Sequence, residues 1–212
     1  MSSRLDRFNR FLTTPLPVRS RAALITAAIL LLTVYVLPLW NLTMFAPQYP
    51  EGLRLDIYSF KLEGGNANQD IKEINVLNHY IGMRDLAAED FSEFKWLPFV
   101  VGALGLLYLR AAVLGTTRHV VDVLVLNLYF SAFALWSFGF KLYQYGHNLA
   151  PNAAVQVDPF MPPMFGFRQL ANFEVYSYPG LASYAMGVST LCVVLAFLAA
   201  WRSTRRREGI TS

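Results

Sequence analysis

An all-α membrane protein, a four-transmembrane-helix bundle with a small mixed extracytoplasmic cap, is the fold class that this sequence predicts, on three observations. The 212 residues are 55% hydrophobic and only 15% charged, too apolar for an ordinary soluble domain. Four apolar runs, 22–42, 97–114, 120–143 and 181–201, match the roughly 20 residues that a helix needs to cross a hydrocarbon core of about 30 Å. Charge is distributed unevenly between them. Of the 18 Lys and Arg, 11 fall in the two tails and around the turn joining spans two and three, with only 3 of the 14 Asp and Glu. By the positive-inside rule both termini and that turn face the cytoplasm, in a bacterial inner membrane, and the two long loops lie outside. The basic clusters are thereby read as topology signals and not as a nucleic-acid surface.

The elements follow in chain order. In the tail, 1–21, Leu5, Phe8, Phe11 and Leu12 recur at helical spacing, the pattern of an interfacial helix broken at Pro15 and Pro17. The first span is read as an uncleaved anchor, because its apolar run exceeds a signal-peptide core and no A-x-A site follows it. Trp40 marks its end, where an indole suits the headgroup region. Loop 43–96 divides at Gly64-Gly65. Alternation of Leu53, Leu55 and Ile57 predicts a strand over 52–62, and Ile71, Ile74, Leu77 and Ile81 predict a helix over 70–86. Asp70 then stands near the amino end, where a carboxylate favours the helix dipole.

Spans 97–114 and 120–143 are joined by a turn at 115–119. Within them Asp122 and Lys141 fall near helix ends and can reach headgroups or water, while Asn127 suits a hydrogen bond between helices. Loop 144–180 is interrupted by Pro151, Pro159, Pro162, Pro163 and Pro179 and carries many aromatic residues. It is expected to be irregular but ordered, packed on the first loop or on a partner. Span 181–201 leads into the basic tail 202–212. The sole cysteine, Cys192, lies in this last run, so no internal disulfide can form and the thiol is read as packing.

Ligand chemistry is concentrated in the two loops. Asn78-His79-Tyr80-Ile81-Gly82-Met83 sets an imidazole and a thioether four residues apart, on one face if the segment is helical. With His147, Met161 and Met164 these residues form a candidate metal set, and imidazole plus thioether suits copper as Cu(I). Ordinary readings stand beside it: His79 as a hydrogen-bonding loop residue, Met83 as a core filler, and Met161 and Met164 as an apolar contact edge. No apolar run carries a central histidine, so no haem is expected. No phosphate loop, dinucleotide fingerprint, H-E-x-x-H or G-x-S-x-G occurs, and no enzyme activity is expected.

The segment 74–83, with Asp158-Pro159-Phe160-Met161-Pro162-Pro163 and Ala171-Asn172-Phe173, resembles small multi-span membrane proteins encoded with the bacterial nitrous oxide reductase accessory machinery. That resemblance implies an extracytoplasmic role in maturing or supporting a respiratory copper enzyme, and carries over onto His79 and Met83. Two functions are therefore expected: a membrane-anchored copper-handling accessory protein, or a non-catalytic subunit of a larger membrane complex that docks a membrane or periplasmic metalloprotein. A quinone pocket at the aromatic span ends is a third. The expected partners are lipid and protein, not nucleic acid.

Overall fold

The computed structural model describes residues 4–170 and 172–210. Its helices are α1 (Arg4–Thr13), α2 (Val18–Leu31), α3 (Gln69–Tyr80), α4 (Glu93–Leu114), α5 (Thr117–His147) and α6 (Leu181–Ile210), and its strands are β1 (Trp40–Ala46), β2 (Tyr49–Ile57), β3 (Leu62–Gly64), β4 (Gly166–Leu170) and β5 (Phe173–Pro179). Among the described residues, four helical stretches are long and apolar enough to cross a membrane: Val18–Tyr35, Glu93–Leu114, Thr117–His147 and Leu181–Arg205. The transmembrane reading therefore stands.

The all-α fold class does not. The chain is 60% helical and 17% strand, and the strands form one five-stranded antiparallel sheet. The reason lies in segments whose apolar content hides a period of two. Trp40–Leu42 close the first apolar run and 43–46 open the first loop, yet Leu42, Met44 and Ala46 are buried while Asn41, Thr43 and Phe45 are only half-buried, the alternation of a pleated strand. Helix α2 ends at Leu31, a 3₁₀ turn continues to Tyr35, and β1 begins two residues after Pro38. The proline-rich loop, expected to be irregular, supplies β4 and β5. The strand expected over 52–62 is split between β2 and β3, and the helix expected over 70–86 stops at Tyr80.

The chain divides into two compact units. The first comprises the described residues of Met1–Thr33, Phe99–Ala132 and Ala185–Ser212. Small residues let α2 and α6 approach closely: Ala27 and Ala196 are fully buried, Ser20 Oγ donates to the Ala196 carbonyl at 2.8 Å, and Ser189 Oγ donates to that of Ala27 at 2.8 Å. Without water to drive association, such packing and hydroxyl bonds hold membrane helices together. Asn127 makes the interhelical bonds expected of it, accepting from the Tyr108 hydroxyl at 2.5 Å and donating to Thr190 Oγ1 at 3.0 Å. α1 packs through Phe11 against Phe197 and Trp201. The chain after it is tied to the α4–α5 turn by Leu16 N–H to the Gly115 carbonyl and Thr117 N–H to the Thr14 carbonyl.

The second unit comprises Val34–Pro98 and Phe133–Tyr184 and contains the sheet, in the order β3-β2-β1-β5-β4. β1 follows the first span, β5 precedes the last, and they pair Trp40 with Pro179. Gly180 N–H donates to the Leu39 carbonyl at 2.8 Å and Ala182 N–H to that of Pro38 at 3.1 Å. A Cβ on Gly180 would strike the Pro38 carbonyl, so this junction requires glycine. One sheet face buries Leu42, Met44, Leu53, Leu55, Phe173 and Val175 against Ile74, Leu77 and Ile81 of α3.

Candidate functional site

The other sheet face carries the feature that stands out. Strand pairing puts Thr43 opposite both Arg54 and Tyr176, Asn41 opposite Asp56 and Tyr178, Phe45 opposite Glu174, and Phe167 opposite Tyr176. Side chains alternate along a strand, so these residues share one face. Its β2 side is polar, with Asn41 Nδ2 donating to Asp56 at 2.6 Å and Arg54 paired with the same carboxylate. Its β5–β4 side is aromatic. Phe165 meets Tyr178 edge-on at 5.4 Å between ring centres, Phe167 lies 5.0 Å from Tyr176, and Phe45 meets Tyr176 edge-on at 5.6 Å. Phe165, Phe167 and Tyr178 remain 67%, 52% and 43% exposed. Burial and the neighbouring Glu174 carboxylate push the Tyr176 phenol above its ordinary range.

A second aromatic series runs along α5. Phe133, Trp136, Phe140 and Tyr143 recur at intervals of three and four residues and are all exposed, the spacing of a helix-packing seam. Trp136 stacks on Phe140 at 5.5 Å, and Tyr143 stacks on His147 at 3.8 Å.

The two long loops meet. Ala150 N–H donates to the Gly82 carbonyl at 2.8 Å, Val155 N–H to that of Tyr80 at 3.0 Å, and Phe160 N–H to that of Gly146 at 3.0 Å. Gly146 permits the last approach, since a Cβ there would collide with the Phe160 carbonyl. The second loop thus binds both the end of α3 and the end of α5.

Within this frame the candidate ligands have different surroundings. His79 is exposed in the last turn of α3, whereas Met83 lies beyond the helix and packs against the apolar core. Gly82, at φ 79°, turns the chain between them, so helical geometry does not join the pair. His147 ends α5 with Nδ1 3.0 Å from the Tyr143 carbonyl oxygen. Met161 is half-buried, its carbonyl accepting from Arg168 at 2.8 Å. Met164 is also half-buried, its sulfur 3.9 Å from where a Cβ on Gly139 would sit. Met44 is buried in the core. Among the described residues no three His, Cys, Asp or Glu side chains gather where they could hold a metal ion. The donors that could serve copper are dispersed over the loop cluster, with Met83 committed to core packing.

A polar cluster escaped the sequence reading. Lys141, placed there at a helix end reaching headgroups, instead donates to the Asp90 carbonyl at 2.8 Å, lies 3.9 Å from Glu93 Oε2 and sits over the Phe91 ring. Ser137 Oγ donates to Glu93 Oε1 at 2.8 Å. The available signal was Ser137 and Lys141 four apart on one helix, facing the acidic stretch 89–93. Together these contacts anchor the start of α4 on α5.

At the cap surface, Tyr49 donates its hydroxyl to Glu73 and Gln69 Nε2 donates to the same carboxylate at 3.0 Å. The Tyr49 bond first, and the Gln69 bond second, hold Glu73 below the usual carboxylate range; the same contact raises Tyr49. A depressed carboxylate contributes stability above its unfolded pKa, about 4.3, and loses it as pH falls through the lower folded value. A raised phenol contributes below about pH 10 and loses its share as pH rises through the folded value. Carbon-detected titration of Glu73 should give a midpoint below about 4.3 that rises toward that value in Tyr49→Phe, with the Gln69 bond keeping part of the depression. An ordinary midpoint in the unsubstituted protein would refute the coupling. No protein-family model, curated protein or solved structure matches the chain.

Proposed function

We propose that the protein is a membrane-anchored, non-catalytic docking subunit of a larger membrane complex, which receives a membrane-bound or extracytoplasmic metalloprotein on the aromatic face of its sheet. The observation that carries this reading is the cluster Phe45, Phe165, Phe167, Tyr176 and Tyr178, three members of which are exposed. Aromatic residues dominate the energetic centres of protein interfaces, and a contiguous exposed apolar patch is otherwise a liability. The exposed seam on α5 supports the same reading within the span, where a partner helix would cover it. The cytoplasmic placement of both termini, from the Lys/Arg bias, belongs to this proposal. A photo-crosslinking residue at position 167, activated in native membranes, should yield an adduct with one protein partner. Adducts with lipid alone, with equivalent probes at 165 and 178 giving the same, would end the proposal.

Copper handling is a second reading, favoured by one observation: the loop contacts hold the turns bearing His79, His147 and Met161 in one cluster. Titration of the purified protein against a Cu(I) competitor should show stoichiometric binding that His79→Ala combined with His147→Ala removes. Indistinguishable weak binding by both proteins would reject it.

A further inference from the structure

The α4–α5 hairpin carries a cleft of about 70 Å³ that the docking reading leaves unused. Its walls are Leu107 and Ala111 of α4 and Val123 and Leu126 of α5; its polar border is Arg110, His119 and Asp122. The volume is far below the roughly 300–1,000 Å³ of a ring-cofactor or drug-sized pocket. It suits a few methylenes of a chain whose remainder lies in the bilayer.

The border is unusual in its charge. Arg110 and Asp122 are both exposed, on facing helices beside one cleft, yet no salt bridge forms between them. Neither side chain has a hydrogen-bond partner among the described residues. Arg110 lies four residues before the end of α4 and Asp122 five after the start of α5, or about 6–8 Å from the helix ends at about 1.5 Å per residue. With the helix ends at the headgroup surface, that depth is the boundary between acyl chains and headgroups. Ionisable groups at such depth seek a partner of opposite charge. His119 is oriented by Thr116, whose Oγ1 lies 2.6 Å from Nδ1. With the hydroxyl donating, the ring keeps its proton on Nε2. The remaining nearby charges are basic: the Arg21 guanidinium covers Gly115 in the turn, and Arg118 is exposed at the start of α5.

We propose that this cleft is a specific site for a phospholipid whose headgroup carries a phosphate and a primary ammonium, as phosphatidylethanolamine does. Arg110 and His119 Nε2–H receive the phosphate, Asp122 receives the ammonium, and the apolar walls grip the first methylenes of one acyl chain. The paired charges select the zwitterion. An anionic glycerol headgroup would leave Asp122 facing phosphate with no cation, and a choline headgroup has no N–H to donate. The site stands independently of the docking reading, because it uses different residues.

Full-length protein released from bilayers of equal phosphatidylethanolamine, phosphatidylcholine and phosphatidylglycerol, and read by native mass spectrometry, tests this. Phosphatidylethanolamine should be retained roughly tenfold over either competitor, the ratio expected for one charge-assisted hydrogen bond. Asp122→Asn should erase its advantage over phosphatidylcholine, and Arg110→Gln should lower retention of all three. Equal retention by the unsubstituted protein, an excess of phosphatidylglycerol, or an unchanged preference in Asp122→Asn would overturn the proposal. The unsubstituted comparison stands even if a variant does not fold.

Discussion

Replacing Phe173 with alanine should destabilise the sheet-and-helix cap by about 3–5 kcal/mol, the range for removing a buried aromatic ring when the surroundings only partly collapse into the space. Phe173 is 4% exposed in the cluster that joins β1, β2 and β5 to α3. The loss should concentrate in that cap, since the cluster contains no residue of the first unit. Hydrogen exchange in detergent or nanodiscs reads it directly: amides of β1 and β5 should lose protection in Phe173→Ala while those in the middle of α2 and α6 keep theirs. Uniform loss along the whole chain would show that the cap and the helices unfold as one cooperative body. Unchanged protection in β5 would show that the ring contributes little to the core.

The second large effect concerns partner capture. Serine at Phe165, Phe167 and Tyr178 together should abolish co-purification of the partner that crosslinking identifies, while thermal stability changes little, because all three rings are exposed on the face away from the core. Central aromatic residues of interfaces commonly contribute 2 kcal/mol or more each, so even one effective loss weakens binding about thirtyfold. Surface substitutions away from structural features usually fall within about 0.5 kcal/mol of neutral. A triple variant that retains the complex would assign docking to the α5 seam, which Trp136→Ala and Phe140→Ala then test. A variant that unfolds would instead make the rings part of the fold, and the single Phe167→Ser substitution separates the two outcomes.

Several elements were legible in the residues. The four spans follow from length and hydropathy, and each contains a helical stretch long enough to cross a membrane, although the end of the first expected run becomes strand at Trp40. The short amphipathic tail helix, the chain break at Pro15 and Pro17, the α3 apolar stripe and the interhelical role of Asn127 were equally readable. The convergence of the two loops was foreshadowed by the aromatic content of the second. The strands were harder. β1 is mostly apolar and its first residues close a span, so its period of two merged with the run before it. β4 and β5 sit among prolines and glycines that locally suggest an irregular loop.

The candidate ligands show the same limit. His79 and Met83 have the spacing of one helix face, but Gly82 takes a positive φ and ends the geometry on which that spacing depends. Lys141 looked like a residue reaching for headgroups because its partners, Asp90 and Glu93, lie about fifty residues away in the chain.

What the sequence by itself determined is the number of spans, their approximate positions and the concentration of aromatic and ligand-bearing residues in two loops. Those properties depend on local composition, since the transfer of a helix into hydrocarbon is a sum over its own residues. Only the tertiary structure decided that those loops form one sheet, that its far face gathers the rings into a ladder, and that Arg110 and Asp122 border one cleft without pairing. Each of these depends on strand register or helix facing between segments remote in sequence, which residue periodicity alone does not encode.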